Sequence, residues 1–386
     1  MHFLYRNIPI LIAIFLFISL NPAGTKAAMP VSAHNAILME EGSGRVIYQE
    51  NAHQKSKIAS ITKIMTALLA VESGKLDKTV TISGHAVGTE GSSLFLKNGE
   101  KMKLEDLTYG LMLRSGNDAA VAIAEYVGGS LDGFVWMMNR KAEEIGMKNT
   151  HFSNPHGLDN TKDHYSTAYD MALLTRYAMN NDTYRKISGT KVHRAPNTME
   201  NWDYVWRNKN RLLTQLYEYC TGGKTGFTKL AKRTLVTTAS KNDLDLIAVT
   251  LNGPDDWNDH IYMYESAFKE YQNTEILAPG PLKEVKEKPY KGNIYIKNSF
   301  YYPLNEDEKD DIKIELKLLK PEKSWKKQAD FPDKVGLAEV YKDGDEIGQR
   351  TIFYGKVKET FSLDQVSWRS AWKAAFNMVL GIKQNG

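Results

Sequence analysis

Apolar residues recur at helical spacing from residue 60 to about 72, where Ile61, Ile64, Met65, Leu68 and Leu69 come with no glycine or proline until Gly74. The pattern predicts a buried helix opening at Ser60-Ile61-Thr62-Lys63. Positions i, i+3 and i+7 share a helix face, so Ser60, Lys63 and Ala67 fall on one arc. Before it, segments 36–39 and 46–50 flank the turn Glu40-Glu41-Gly42-Ser43-Gly44 and read as a hairpin. Segments 234–240 and 244–251, joined through Lys241-Asn242-Asp243, read as a second one. Between them helical patterns dominate, at 104–113, 118–127 and 167–179, the last opening with Thr167-Ala168-Tyr169-Asp170, an acidic variant of the capping box. Strands at both ends with helices between predict one domain whose sheet is assembled from both ends of its chain.

After Tyr271 the pattern changes. Ala278-Pro279-Gly280-Pro281 reads as a linker or boundary, and beyond it Ile312, Ile314, Leu316 and Leu318 alternate with Lys313, Glu315 and Lys317. Segment 335–341 runs through Lys342-Asp343-Gly344 into 351–354, which predicts a small β-sandwich. In 366–383 Trp368, Trp372, Ala375, Phe376 and Val379 share an arc flanked by Arg369 and Lys373, the pattern of a helix lying on a membrane surface. At the other end Arg6, the apolar run 8–20 and Thr25-Lys26-Ala27 have the form of a secretory signal. The expected organisation is a signal peptide at 1–27, a first domain at 28–275, a β-rich domain at 276–361 and the amphipathic helix at 362–386.

Composition narrows this picture little: 386 residues, 42% apolar and 25% charged, are ordinary globular material. A formal charge of +4 with acids and bases interleaved gives no nucleic-acid stripe. The single Cys220 excludes an internal disulfide. The histidines, His151, His156 and His164 among them, lack metal-ligand spacing, so neither a metal nor a cofactor is expected.

A serine hydroxyl becomes a good nucleophile when a nearby base takes its proton, and a lysine can serve when desolvation or neighbouring positive charge lowers its pKa. Ser60 and Lys63 fit that description. So by spacing do Ser188/Lys191, Ser266/Lys269, Ser324/Lys327 and Ser370/Lys373, so context has to decide. Two further triplets supply it. Ser115-Gly116-Asn117 stands in a loop between helices, where Ser115 could relay a proton and Asn117 hold a substrate amide. Lys224-Thr225-Gly226 precedes the second hairpin, where a strand edge could pair with a peptide and the lysine attract a carboxylate. Ser240-Lys241-Asn242 repeats the serine triplet, but Lys-Thr-Gly occurs once.

In this order the three motifs resemble those of the penicillin-recognising serine acyltransferases, and within them the low-molecular-weight penicillin-binding proteins that are serine-type D-alanyl-D-alanine carboxypeptidases. The likeness includes Ala36-Ile37-Leu38-Met39, Gly91-Ser92-Ser93-Leu94 and Asn154-Pro155-His156-Gly157-Leu158. It implies an α/β acyltransferase domain with an antiparallel sheet and a helical subdomain, followed by the β-sandwich and the terminal helix. It implies that Ser60 attacks the bond between two terminal D-alanines of a peptidoglycan stem peptide, with Lys63 as base and Ser115 assisting the leaving amine. Asn117 would bind the acyl side, and Lys224 and Thr225 the terminal carboxylate. Gly226 would allow close approach, and the oxyanion would sit between the backbone N–H groups of Ser60 and Phe227. β-Lactam antibiotics would acylate the same serine. Where some relatives carry a second carboxylate-binding arginine this chain has Lys209, with Arg207 and Arg211 as alternatives. Ala231-Lys232-Arg233-Thr234 also departs from the family text. The implied location is the outer face of the cytoplasmic membrane or the wall, periplasmic in a Gram-negative cell, and the likeness touches a sporulation-associated branch. Two rivals are a β-lactamase, disfavoured because 154–159 offers no deacylating glutamate, and a wall-binding protein of low turnover.

Overall fold

Strand β1 (Asn35–Glu40) is buried along its whole length because both of its faces are covered. Its Ile37 and Met39 belong to one apolar cluster, Ala36 and Leu38 to another on the opposite face. A strand covered on both sides needs apolar residues at every position, which is why 36–39 reads as an unbroken apolar run. β2 (Val46–Glu50) pairs with β1 as a hairpin. A 3₁₀ turn at Ala59–Thr62 then leads into helix α1 (Lys63–Glu72), in which every residue from Lys63 to Val71 is buried. The expected helix is therefore split: Ser60 sits in the tight turn and Lys63 opens the α-helix proper.

A helical stretch follows, interrupted by the short ladder of β3 (Thr79–Thr81) and β4 (Lys101–Lys103) around α2 (Gly84–Val87). α3 (Leu104–Arg114), α4 (Asn117–Gly128), α5 (Leu131–Ile145), α6 (Ala168–Met179) and α7 (Asp182–Ser188) complete it, and α1 packs against α3, α4 and α6 among them. The Thr167 side chain accepts from Asp170 N at 3.0 Å, but the Asp170 carboxylate goes to Asn149 N and Thr150 Oγ1, both 2.8 Å. Only half of the expected capping box forms, because the acid is used to fasten the preceding loop.

The chain next makes a hairpin of β5 (Val192–Ala195) and β6 (Tyr204–Arg207), which the apolar pattern had not marked. Then come β7 (Cys220–Thr228), β8 (Lys232–Lys241), β9 (Leu244–Leu251) and α8 (Asp256–Glu270). The main sheet is antiparallel in the order β2-β1-β9-β8-β7, so β1 finds its second partner more than 200 residues away and β7 forms an edge. Asn242 and Asp243 both take positive φ, 52° and 60°, the primed turn that suits a two-residue hairpin.

The structure is a computed structural model that describes residues 31–355, apart from 160, 284 and 286. The predicted signal at 1–27 and terminal helix at 362–386 lie outside those residues. The chain divides into two compact units between Asn273 and Thr274. The second holds a sheet in the order β11-β12-β16-β15-β14 and a smaller ladder, β10-β13, with β10 at Gln272–Leu277, β11 at Gly280–Pro281, β12 at Ile294–Ile296, β13 at Phe300–Leu304, β14 at Ile312–Leu318, β15 at Lys334–Lys342 and β16 at Asp345–Tyr354. Leu277, Tyr302 and Leu304 share its core with Ile294, Val340 and Ile352. Ala278-Pro279-Gly280-Pro281 is thus not the linker: its last two residues form β11, an edge strand where proline's missing N–H does no harm.

Candidate active site

Ser60 is half-buried in the turn ahead of α1, and that turn is held from three sides. Ala59 takes the left-handed conformation, φ +48°, uncommon for a residue with a Cβ. Thr62 Oγ1 donates to Ala59 O at 2.8 Å and faces His164 Nε2 at 2.8 Å. Because His164 Nδ1 accepts from Ser153 N at 3.0 Å, the imidazole proton sits on Nε2 and is donated to Thr62. Burial pushes the His164 pKa down to about 3, so the ring stays neutral. From below, Gly157 (φ +89°) comes so close that a Cβ there would lie 1.9 Å from Ala59 O. From above, Thr234 Oγ1 on β8 donates to Ile58 O at 3.0 Å.

Lys63 is fully buried and its Nζ has three neighbours: Ser60 Oγ at 3.0 Å, Asn117 Oδ1 at 2.7 Å and the carbonyl oxygen of His156 at 2.7 Å. Its pKa is driven well below the ordinary lysine value, first by desolvation, then by the charges of Lys224 and Lys209. A neutral amine has two N–H bonds and one lone pair. Asn117 Oδ1 and His156 O can only accept, so they take the two N–H bonds. The lone pair is left for Ser60, whose hydroxyl can donate. The Asn117 orientation is fixed by its own Nδ2, which donates to Glu90 O at 2.6 Å, and a Cβ at Gly91 would come within 2.7 Å of that nitrogen.

Ser115 stands where α3 stops and α4 has yet to begin. It takes the left-handed conformation, φ +66°, as the C-cap of α3, and among the described residues its buried side chain has no hydrogen-bond partner. The next acid, Asp118, gathers the neighbouring loop, accepting from Ser93 Oγ at 2.6 Å, Leu94 N at 2.9 Å and Leu96 N at 3.3 Å.

β7 brings the third motif past the turn. Gly226 is the crossing point, since a Cβ there would lie 3.0 Å from Ser60 N and 2.3 Å from Thr234 Oγ1. Phe227 follows with its ring 65% exposed, so only its backbone is placed beside the turn. Lys224 is 2% exposed, donates to Thr225 O at 2.7 Å, and has its pKa lowered to about 7 by burial and then by Lys209. Thr225 is half-buried beside it. Lys209 is more open, with Nζ 3.5 Å from Ser92 Oγ, and its pKa is lowered by burial and then by Arg114. Among the described residues none of these three lysines is paired with a carboxylate.

The structure thus gathers Ser60, Lys63 and Asn117 by direct contact, and Lys224 and Lys209 by charge. Of the other serine–lysine pairs, Ser370/Lys373 lies outside the described residues. Ser188 is buried and accepts from Gly223 N at 2.8 Å, and Ser240 and Lys241 end β8 with Asn242 in the turn to β9. Ser324 is exposed in the second unit. Cys220 packs in the apolar cluster under α8, and burial pushes its thiol up to about 11. Residue patterns had missed the His156 carbonyl, the His164–Thr62 support and Asp118. A carbonyl leaves no mark in side-chain spacing, and the only signal was the family-like text around 154–158.

A model described as D-alanyl-D-alanine carboxypeptidase matches residues 23–255, and one described as the C-terminal domain of penicillin-binding protein 5 matches 271–359. The chain is 37% identical over 271 residues to the D-alanyl-D-alanine carboxypeptidase DacF of Bacillus subtilis, covering 66% of this chain and 69% of that one. It is 38% identical over 243 residues to DacC of Escherichia coli, covering 60% of this chain and 59% of the relative. Among solved structures, penicillin-binding protein 5 of Haemophilus influenzae superposes with a TM-score of 0.68 at 25% identity, over 85% of this chain and 97% of that one.

Proposed function

The chain belongs to the D-alanyl-D-alanine carboxypeptidase family, and from that premise and the geometry of the cleft we propose that it removes the terminal D-alanine from peptidoglycan stem peptides through an acyl-enzyme on Ser60. The observation that carries the assignment is the environment of Lys63 Nζ. Two obligate acceptors take its N–H bonds and turn the lone pair to the Ser60 hydroxyl. As Ser60 Oγ attacks the carbonyl carbon, its proton passes to Lys63. The oxyanion forms between the backbone N–H groups of Ser60 and Phe227, where such donors lower a barrier by about 3–4 kcal/mol. The C–N bond breaks, the amine takes a proton through the Ser115 hydroxyl, and D-alanine leaves. Water then attacks the ester carbonyl, its proton passing to Lys63 and on to Ser60 Oγ as the ester bond breaks, and the shortened peptide departs with the free serine restored.

Lys224 and Thr225 hold the terminal carboxylate, and Asn117 holds an amide on the acyl side. Lys209, more open than Lys63 and Lys224 and with Nζ 3.5 Å from Ser92 Oγ, is the second cation, with Arg207 and Arg211 as the alternatives. Penicillins acylate Ser60 because their carbonyl and carboxylate meet the same groups. A β-lactamase is disfavoured by the absence of a glutamate at 154–159 and by the C-terminal match. Measured turnover separates the enzyme from a wall-binding protein. Residues 1–27 direct export, 362–386 rest on the membrane surface, and the enzyme works on the outer face of that membrane. No described helix is long and apolar enough to cross a membrane.

Mass spectrometry of the penicillin-treated protein tests the reading. The adduct is expected on Ser60, and Ser60→Ala should lose both labelling and D-alanine release with Tm nearly unchanged. An adduct on Ser188, Ser266, Ser324 or Ser370 would overturn it.

A further inference from the structure

The second unit carries a charged segment whose charges its own fold leaves unused. Between β14 and β15 the chain runs through Leu319-Lys320-Pro321-Glu322-Lys323-Ser324-Trp325-Lys326-Lys327, and all four lysines are exposed. Among the described residues none of them is paired with a carboxylate. The acids in the loop are occupied otherwise. Glu322 accepts from Ser324 Oγ at 3.2 Å, and Asp330 Oδ2 accepts from the backbone N–H groups of Lys326 and Lys327 at 2.9 and 2.7 Å. Apolar surface accompanies the charge: Leu319 is 48% exposed and Trp325 half-buried. Cations beside tryptophan and leucine suit the boundary between water and anionic lipid.

The loop is held in shape from beneath. Leu319 N donates to Val335 O at 2.8 Å, and Tyr290 Oη donates to Leu319 O at 2.6 Å. Trp325 leans on Phe331 at 5.1 Å, and Phe331 stacks on Tyr354 at 3.9 Å. Tyr354 is the last residue of β16, so this packing also fixes where the loop stands, at the point where the described chain leaves the unit. A Cβ on Gly355 would lie 3.6 Å from Gln328 Nε2 of the same loop. From Gly355 to residue 362, where the proposed surface helix begins, extended chain covers at most about 25 Å. A membrane that holds that helix therefore lies close to the base of the loop.

We propose that this loop is a second membrane contact, in which Lys320, Lys323, Lys326 and Lys327 meet anionic lipid headgroups while Trp325 and Leu319 enter the interface. The proposal rests on the reading of 362–386 as a surface helix for the position of the membrane. It adds orientation. A terminal helix tethers the chain end to the surface, and a loop beside the exit fixes which way the second unit faces. Each lysine at an anionic surface strengthens binding about fivefold, so four of them give roughly a millimolar attachment. That is too weak to sediment alone, yet it counts once the helix is bound, because the second contact is then intramolecular.

The test uses the full chain with vesicles of phosphatidylcholine, alone or mixed with phosphatidylglycerol. The combined Lys320→Gln, Lys323→Gln, Lys326→Gln and Lys327→Gln variant should bind the anionic vesicles roughly tenfold more weakly and with a flatter salt dependence. Its Tm and its D-alanine release from a soluble peptide should be unchanged. Ser324→Cys carrying a polarity-sensitive dye reads the contact directly, since Cys220 is buried in an apolar cluster. Its emission should shift to the blue on anionic vesicles and stay unchanged on neutral ones. If the full chain binds anionic vesicles and the lysine variant binds as tightly, or the dye does not respond, the loop proposal is wrong and the surface helix stands. If the chain truncated after Phe361 binds as well as the full chain and loses that binding with the four lysines, the loop stands and the helix reading fails. A dye that responds to soluble polyphosphate but not to vesicles would overturn the proposal in favour of an anionic polymer, and a full chain that binds neither would overturn it outright.

Discussion

At the scale of single residues, the reaction proposed above needs two buried lysines in opposite states. Lys63 has to be neutral to accept a proton, and Lys224 has to be charged to hold a carboxylate. Their surroundings differ accordingly: Lys63 meets two fixed carbonyl acceptors and the Ser60 hydroxyl, whereas Lys224 has a single carbonyl and a pKa near 7. Raising the pH through about 7 should therefore empty the Lys224 site of charge in the free enzyme. On a peptide with a free carboxylate, kcat/KM should fall above that pH while kcat holds, because the bound anion restores the proton. An amidated peptide should lack that fall, and equal profiles for the two would remove Lys224 as the carboxylate ligand. The same shift bears on stability. Between about pH 7 and 10.5 the unfolded chain keeps a proton at Lys224 that the folded chain releases, so this residue makes folding more favourable as pH rises through that window. Lys224→Met should accordingly raise Tm more at pH 6 than at pH 10, at the expense of activity.

At the scale of elements, the catalytic turn depends on a strand edge passing without a side chain. Gly226→Ala would thrust a methyl group against Thr234 Oγ1 and Ser60 N. Penicillin acylation should drop at least a hundredfold, in line with the loss of one oxyanion donor, and Tm should fall as well. Adding Thr234→Ala removes the closer clash together with the Thr234–Ile58 hydrogen bond, so relative to Thr234→Ala alone the double variant should show little further loss of Tm but a large loss of acylation, and acylation equal to that of Thr234→Ala would place Gly226 outside the site. Much of this was legible in advance. β1, β8, β9 and the helices at 104–114, 117–128 and 168–179 follow from apolar runs and periodicity, and the three motifs were legible as an ordered set. The β5–β6 hairpin was not, because Tyr204 and Trp206 alternate with Val205 and Arg207 over only four residues. The 3₁₀ turn at Ser60 was equally hidden. It is imposed by Gly157 against Ala59 and by His164 on Thr62, both from outside the turn, and local propensity carries no trace of such contacts.

At the scale of the molecule, the described residues fall into two units, and the proposed export signal and surface helix lie outside them. Truncation after Phe361 removes the proposed membrane-surface helix and leaves the described residues of both units intact. The shortened protein should stay in the supernatant of anionic vesicles that the full chain sediments with, and its kcat on a short soluble peptide should be unchanged. Loss of soluble activity or folding on truncation, with no vesicle binding by the full chain, would assign that segment to the fold instead. One feature of the main sheet governs the order of events when the chain is made. β1 lies between β2 and β9, so in a nascent chain its apolar residues 36–39 are paired on the β2 side only, and its other edge stays open until residue 251 has appeared. The nucleophile is synthesised early, yet the walls that shape its turn, β7 and β8, come near the end of the domain. Ribosome-released fragments ending before residue 220 should contain Ser60 and Lys63 and still fail to react with labelled penicillin. Such a chain is chemically mute throughout its own synthesis, and it becomes reactive in one late step when the last strands close over the first.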